Sequence, residues 1–137
     1  TNAAVNGKGT VSVKGITDKK TRTSLTIGKT VKIGGVSYKI TGIDSSAFAN
    51  ASKLKSVTIG SNVRRIGAKA FYNCKKLKTI VIKTKKLTMK RVGKKAFAGI
   101  YKKAKITLPK GGFSKKQKAA YKKILRARGV GKKAKIK

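Results

Sequence analysis

The stretch Ile66-Gly67-Ala68-Lys69-Ala70-Phe71-Tyr72-Asn73-Cys74-Lys75-Lys76-Leu77-Lys78-Thr79-Ile80-Val81-Ile82 decides the fold, because the chain carries it in three copies. The copy before it runs from Ile43 to Ile59 through Ala47-Phe48 and Leu54, and the copy after it from Val92 to Leu108 through Ala96-Phe97. The Ala-Phe pairs at 47/48, 70/71 and 96/97 lie 23 and then 26 residues apart, and the paired apolar positions 57/59, 80/82 and 106/108 step by the same 23 and 26. Two separate markers moving in register identify a repeat, and a period in this range means a solenoid.

The unit has a physical reading. Val57 and Ile59, Ile80 and Ile82, and Ile106 and Leu108 alternate as short strands, so stacked copies would pair them in a parallel sheet. Phe48, Phe71 and Phe97 are expected to form an aromatic row in the core, with Leu54 and Leu77 beside it. Ala47, Ala70 and Ala96 would let each turn approach the sheet closely. Gly67 and Gly93 are read as tight backbone turns, with Asp44 in that place in the first unit. The third unit carries its extra length in Lys83–Arg91, expected as a bulged loop with Leu87 or Met89 folded inward. Leu77 has no clean counterpart there: Lys103 aligns and Ala104 is adjacent.

Outward from the repeats, residues 1–10 are small and polar and read as a frayed end or linker. Val11–Val13 alternates like a short strand, and Thr17–Thr23 reads as a polar turn. Leu25-Thr26-Ile27-Gly28 resembles Val57-Thr58-Ile59-Gly60 and suggests a leading variant of the repeat. Val31–Ile33 and Val36–Ile40 flank Gly34-Gly35, a hairpin signal, and this hairpin is expected to cap the amino-terminal end of the stack. At the other end Pro109–Gly112 breaks the pattern. Ser114 would cap a helix over 115–128 that ends at Gly129, with Phe113, Gln117, Ala120, Tyr121, Ile124 and Leu125 on its inner side. Ala134–Lys137 would add a last strand. The expected fold is an α/β solenoid: an N-terminal segment with a short strand (1–23), the repeat array with its hairpin (24–109), and a helix-plus-strand cap with a basic tail (110–137).

Composition limits the chemistry. Among 137 residues there are 38 Lys and Arg against two acids, Asp18 and Asp44, for a net charge of +36. Self-repulsion opposes folding at this charge and is screened by salt. Such a surface points to polyanionic surroundings. Only Arg22, Arg64, Arg65, Arg91, Arg126 and Arg128 are arginine, so point charge outweighs the bidentate fork. No His is present and the two acids belong to different units. An imidazole base, a paired-carboxylate mechanism and a multi-cysteine metal site all lack residues, so no catalytic residue, metal or cofactor is expected. Lys75 and Lys76 could activate Cys74 as a nucleophile, but Ala51 and Ile100 replace it in the other copies, which makes it a core residue. Tyr38, Tyr72, Tyr101 and Tyr121 could stack on bases, yet they sit beside core positions. No apolar run approaches the ~20 residues of a membrane helix. No signal peptide is visible at Thr1, so for an exported protein the chain would begin within or after a longer precursor.

The pattern Ile-Gly-x-x-Ala-Phe-x-x-Cys-x-x-Leu-x-x-Ile-x-Ile closely resembles the BspA-like class of bacterial leucine-rich repeats, most closely over 43–82 and more loosely over 92–108. The lysine-rich end with Tyr121-Lys122-Lys123-Ile124-Leu125 is similar to the terminal segment of such surface proteins in Gram-positive anaerobes. The usual Cys stands as Ala51, Cys74 and Ile100, and the usual proline after the strand appears only as Pro109. The resemblance implies a leucine-rich-repeat solenoid in an exported, extracellular or cell-surface protein. It further implies a non-catalytic module that adheres to host or microbial macromolecules.

Charge and resemblance together give the expected function. The leading reading is a binding or adhesion module for anionic polymers, such as glycans or cell-wall polymers, or for host macromolecules. Lys83, Lys85, Lys86 and Lys110, placed after the strands, are the expected contacts. A nucleic-acid-binding protein, supported by charge alone, and a structural spacer without its own ligand are the alternatives.

Overall fold

Val57, Ile80 and Ile106 are lateral neighbours on three adjacent strands, and that row is the spine of the molecule. The structure, a computed structural model, describes residues 2–5 and 9–137, the first four through their backbone alone. In chain order the strands are β1 (Asn2–Val5), β2 (Thr10–Gly15), β3 (Ser24–Ile27), β4 (Thr30–Ile33), β5 (Val36–Ile43), β6 (Ser56–Ile59), β7 (Arg65–Ile66), β8 (Thr79–Ile82) and β9 (Lys105–Thr107). Helix α1 (Lys115–Ala127) and strand β10 (Lys135–Ile136) follow.

One sheet is wholly parallel in the order β3-β6-β8-β9-β10. Its register is the one the 23- and 26-residue steps demand: Leu25, Val57, Ile80, Ile106 and Ile136 form one row, and Ile27, Ile59 and Ile82 the next. All of these side chains are buried. The alternate positions, Thr26, Thr58, Val81 and Thr107, point outward, as a period of two requires.

A second sheet stands opposite, and the spacing of the repeats gave no hint of it. Here β2 pairs in parallel with β5 and β5 with β7, and a lone parallel bridge joins Ile66 to Val92. Each coil of the solenoid thus crosses both sheets, and the Ala-Phe turn joins them. Those turns are stitched from coil to coil by backbone bonds: Phe48 N–H donates to Ala70 O, Phe71 N–H to Ala96 O, and Phe97 N–H to Arg128 O. The three rings stack at 5.3 and 5.5 Å with interplanar angles of 18° and 8°. Each fully buried ring contributes roughly 1.5–3 kcal/mol, and each stacked pair about 1 kcal/mol more.

Several local expectations change. Gly67 and Gly93 serve close approach rather than a special turn: a Cβ on either would lie 2.3 Å from the backbone nitrogen of the preceding coil, Ser45 or Ala68. In the third unit Ala104, not Lys103, fills the place of Leu77, since Ala104 N–H bonds to Tyr101 O where Leu77 N–H bonds to Cys74 O. Leu87 is the residue of the long loop that turns inward; Met89 only packs at the margin.

The hairpin forms as read, with Ile33 opposite Val36 and both Gly34 and Gly35 at positive φ, +57° and +78°. It does not close the amino-terminal end of the stack. Strand β2 occupies the other edge of β5, and β1 lies beyond β2. Strand β5 is eight residues long, so it accepts β4 along its first half and β7 along its second while β2 takes the opposite edge. Residues 2–5, expected to be part of a frayed end, are strand β1; the same expectation at residues 1 and 6–8 lies outside the described residues.

At the far end Ser114 accepts from Gln117 N–H and Gln117 Oε1 accepts from Ser114 N–H, a complete capping box. That bond keeps Gln117 outside; it and Ala120 are exposed, while Phe113, Tyr121, Ile124 and Leu125 are buried.

Candidate functional site

The four lysines expected to make contacts do not form one group. Lys83 and Lys110 line a shallow depression of about 380 Å³ past the ends of β8 and β9, with Val81, Thr107 and Pro109. Lys85 lies alongside, its Nζ donating to Gly111 O and tying one loop to the next. Lys86 points elsewhere, into a depression of about 480 Å³ shared with Lys39, Asn62 and Arg64. The loop that carries them is anchored from below. Thr84 is fully buried and donates to Val63 O. The Tyr121 hydroxyl donates to Thr84 O at 2.8 Å and accepts from Leu87 N–H at 3.1 Å.

Reactive chemistry finds little support. Cys74 is fully buried and its Sγ lies 3.1 Å from Phe48 O. Burial pushes its thiol up to about 11, only partly offset by the Ala51 backbone N–H, so it stays protonated at neutral pH. The Arg22 guanidinium beside Asp18 holds that carboxyl below the usual carboxylate range. Among the described residues, no three His, Cys, Asp or Glu side chains gather as a metal site would need, and no helix is long and apolar enough to cross a membrane. The tyrosines are engaged. Tyr121 is buried, its hydroxyl pushed up by desolvation. Tyr38 packs on the core. Lys69 and Lys78 lie over the rings of Tyr72 and Tyr101, at 5.3 and 5.5 Å.

A surface that the sequence reading misses lies on the outer face of the second sheet. Three of the six arginines are consumed by the fold. Arg22 pairs with Asp18, Arg126 donates to the carbonyls of Gly131 and Ala134, and Arg128 to those of Val92 and Met89. The other three, Arg64, Arg65 and Arg91, are exposed, and their guanidinium groups have no hydrogen-bond or ion-pair partner among the described residues. The bridge between Ile66 and Val92 sets Arg65 beside Arg91. On the other flank Arg65 faces Gly42, whose missing side chain leaves a notch between Arg65 and Ser12. A bulge in the β2–β5 ladder, which pairs Val11 with Ile40 but Ser12 with Gly42, lets both Thr41 and Gly42 reach this face. Strand parity was the available signal: Ile66 is inward, so Arg65 must be outward.

Comparison with known proteins gives a consistent result. A family model described as BspA type leucine rich repeat region matches residues 26–127 in six copies. A solved leucine rich cell surface protein from Faecalibacterium prausnitzii A2-165 is similar with a TM-score of 0.62 and 25% identity, over 78% of this chain and 30% of its own. A leucine-rich repeat protein from Bacteroides ovatus ATCC 8483 is similar with a TM-score of 0.58 and 27% identity, over 80% of this chain and 34% of its own. The chain therefore spans about a third of the length of these two structures. No curated protein matches it.

Proposed function

Since the chain belongs to the BspA-type leucine-rich-repeat family, we propose that it is a non-catalytic binding module of an exported bacterial surface protein, holding anionic polymers or host macromolecules. One observation carries the reading: the charged positions are filled by 38 Lys and Arg against two acids, and Asp18–Arg22 is the sole ion pair among the described residues. Solvation alone does not favour lysine over glutamate. A surface without compensating acids attracts polyanions from a distance and lowers its own repulsion by binding them. The description of a similar structure as a cell surface protein supports the compartment. Lys83, Lys85, Lys86 and Lys110 contribute contacts on this reading, and α1 with β10 closes the carboxy-terminal end of the stack.

The test is a salt titration of binding to a sulfated or phosphate-rich polysaccharide, with uncharged dextran as reference. Saturable binding at about 0.15 M salt that weakens linearly in log salt is expected. Absence of saturable binding to any polyanion at that salt would refute the reading and leave a spacer.

A further inference from the structure

We propose that the outer face of the second sheet, centred on Arg64, Arg65 and Arg91, is a binding trough for an extended anionic polysaccharide. This deepens the reading above and rests on it. Three depressions run together on this face. One of about 550 Å³ lies against Arg65, Lys90 and Arg91, one of about 360 Å³ against Ser12, Arg64 and Arg65, and the third is the 480 Å³ depression that holds Lys39 and Lys86. The first two share Arg65 and the last two share Arg64 and Thr41, so the three adjoin in series along this face.

The chemistry of the lining selects the ligand class. The Ile66–Val92 bridge places Arg65 and Arg91 on adjacent coils, where both line the 550 Å³ depression. Two like charges lining one depression repel each other. A sulfate or carboxylate placed between them turns that repulsion into paired, bidentate bonds. Lysine, which dominates every other surface, lacks this fork. Between the cations the trough is lined by the exposed Ser37 and by Thr41 and Asn62, which also donate to Val11 O and Lys29 O, with Ser12 buried beneath. These suit the hydroxyls of a sugar chain. Among the described residues no aromatic side chain lines any of the three depressions, so none of them stacks on a nucleobase there. Asp44 lines the same depression as Arg65 and Arg91, and its negative charge opposes an anion there, which gives the site an internal control.

The experiment measures heparin oligosaccharide binding by calorimetry at about 0.15 M salt. The triple variant Arg64→Lys, Arg65→Lys, Arg91→Lys keeps the net charge, and a tenfold or greater loss of affinity is expected. Wild-type affinity in that variant overturns the trough. Asp44→Asn should tighten binding several-fold more than Asp18→Asn, which changes net charge equally; equal effects also overturn it. Single-stranded DNA of matched charge should bind at least tenfold more weakly than heparin, and equal binding overturns the polysaccharide assignment. If the wild type binds no polyanion at all, the function proposed above fails. If it binds but ignores the arginine exchange, only the trough fails.

Discussion

Asn73 donates its side-chain amide to Asn50 Oδ1 at 2.9 Å, and both residues hold a left-handed backbone, φ +62° and +63°. They occupy one place in successive coils, two residues after Phe71 and Phe48, and Gly99 at φ +81° follows in the third. Asparagine serves here twice, tolerating the left-handed region and linking coil to coil.

Replacing Asn73 by alanine removes the bond and adds backbone strain. Asn73→Ala should cost about 2–3 kcal/mol, from ~1 kcal/mol for the bond and 1–2 kcal/mol for the conformation. Asn73→Gly loses the bond but relieves the strain, so it should cost about half as much. Urea unfolding of the two variants measures the difference. Equal losses would show that backbone conformation is not part of the cost.

A second prediction concerns coil spacing. Gly67→Ala puts a methyl 2.3 Å from Ser45 N, in a backbone that cannot yield without separating two coils. The loss should exceed about 3 kcal/mol, the upper range for an overpacked core. Gly131→Ala is the control, because its Cβ would meet Lys102 O at an ordinary 3.8 Å. It should change stability by less than about 1 kcal/mol. Thermal unfolding of both variants decides it, and a tolerated Gly67→Ala would mean the coils sit further apart than described.

The repeat spacing made the first sheet and the phenylalanine row legible, because both consist of apolar side chains recurring at one place in each unit. The second sheet was hidden. Strand β7 is two residues long and the third coil contributes only the Val92 bridge, so neither leaves an alternating pattern to read. Its pairing is set by neighbouring coils. The expectation of a capping hairpin failed for a related reason: Gly34-Gly35 announces a turn but cannot say that β5 runs on to pair with β2 and β7. The trough was hidden most deeply. Arg64, Arg65 and Arg91 look like any basic residues until the fold shows which guanidinium groups it has already used.

The cysteine gives a pH prediction with a definite sign. Burial raises the Cys74 thiol from 9.0 to about 11 in the folded chain. Between those values the unfolded chain releases its proton and the folded chain keeps it, so the thiol's contribution to stability is intact below about pH 9 and is lost as pH rises toward about 11. Two pH units correspond to about 2–3 kcal/mol. Lysines titrate in the same range, so the comparison is with Cys74→Ala, the residue found at position 51. The stability gap between wild type and variant should shift in favour of Cys74→Ala by about that amount between pH 9 and 11. A constant gap would mean that the thiol titrates alike in both states. In the native protein at neutral pH the thiol should also react with disulfide reagents only on unfolding.

Tyr121 offers the last test, because it joins the helix to the loop that carries three of the expected contact lysines. Its hydroxyl holds Thr84 O and Leu87 N–H from within the core. Tyr121→Phe keeps the ring, which packs edge-on against Phe113 at 4.8 Å, and leaves two buried backbone groups without that partner. The cost should be about 1–3 kcal/mol. The effect should also be local. Lys83, Lys85 and Lys86 are exposed trypsin sites, yet cleavage requires the loop to leave its anchors. Limited proteolysis read by mass spectrometry should show cleavage after these residues accelerating in Tyr121→Phe, while cleavage after Lys75 and Lys76 in the turn of the second coil keeps its wild-type rate. Uniform acceleration at every site would mean that the hydroxyl supports the whole stack. No acceleration at 83–86 would mean that Thr84 and Leu87 hold the loop without it.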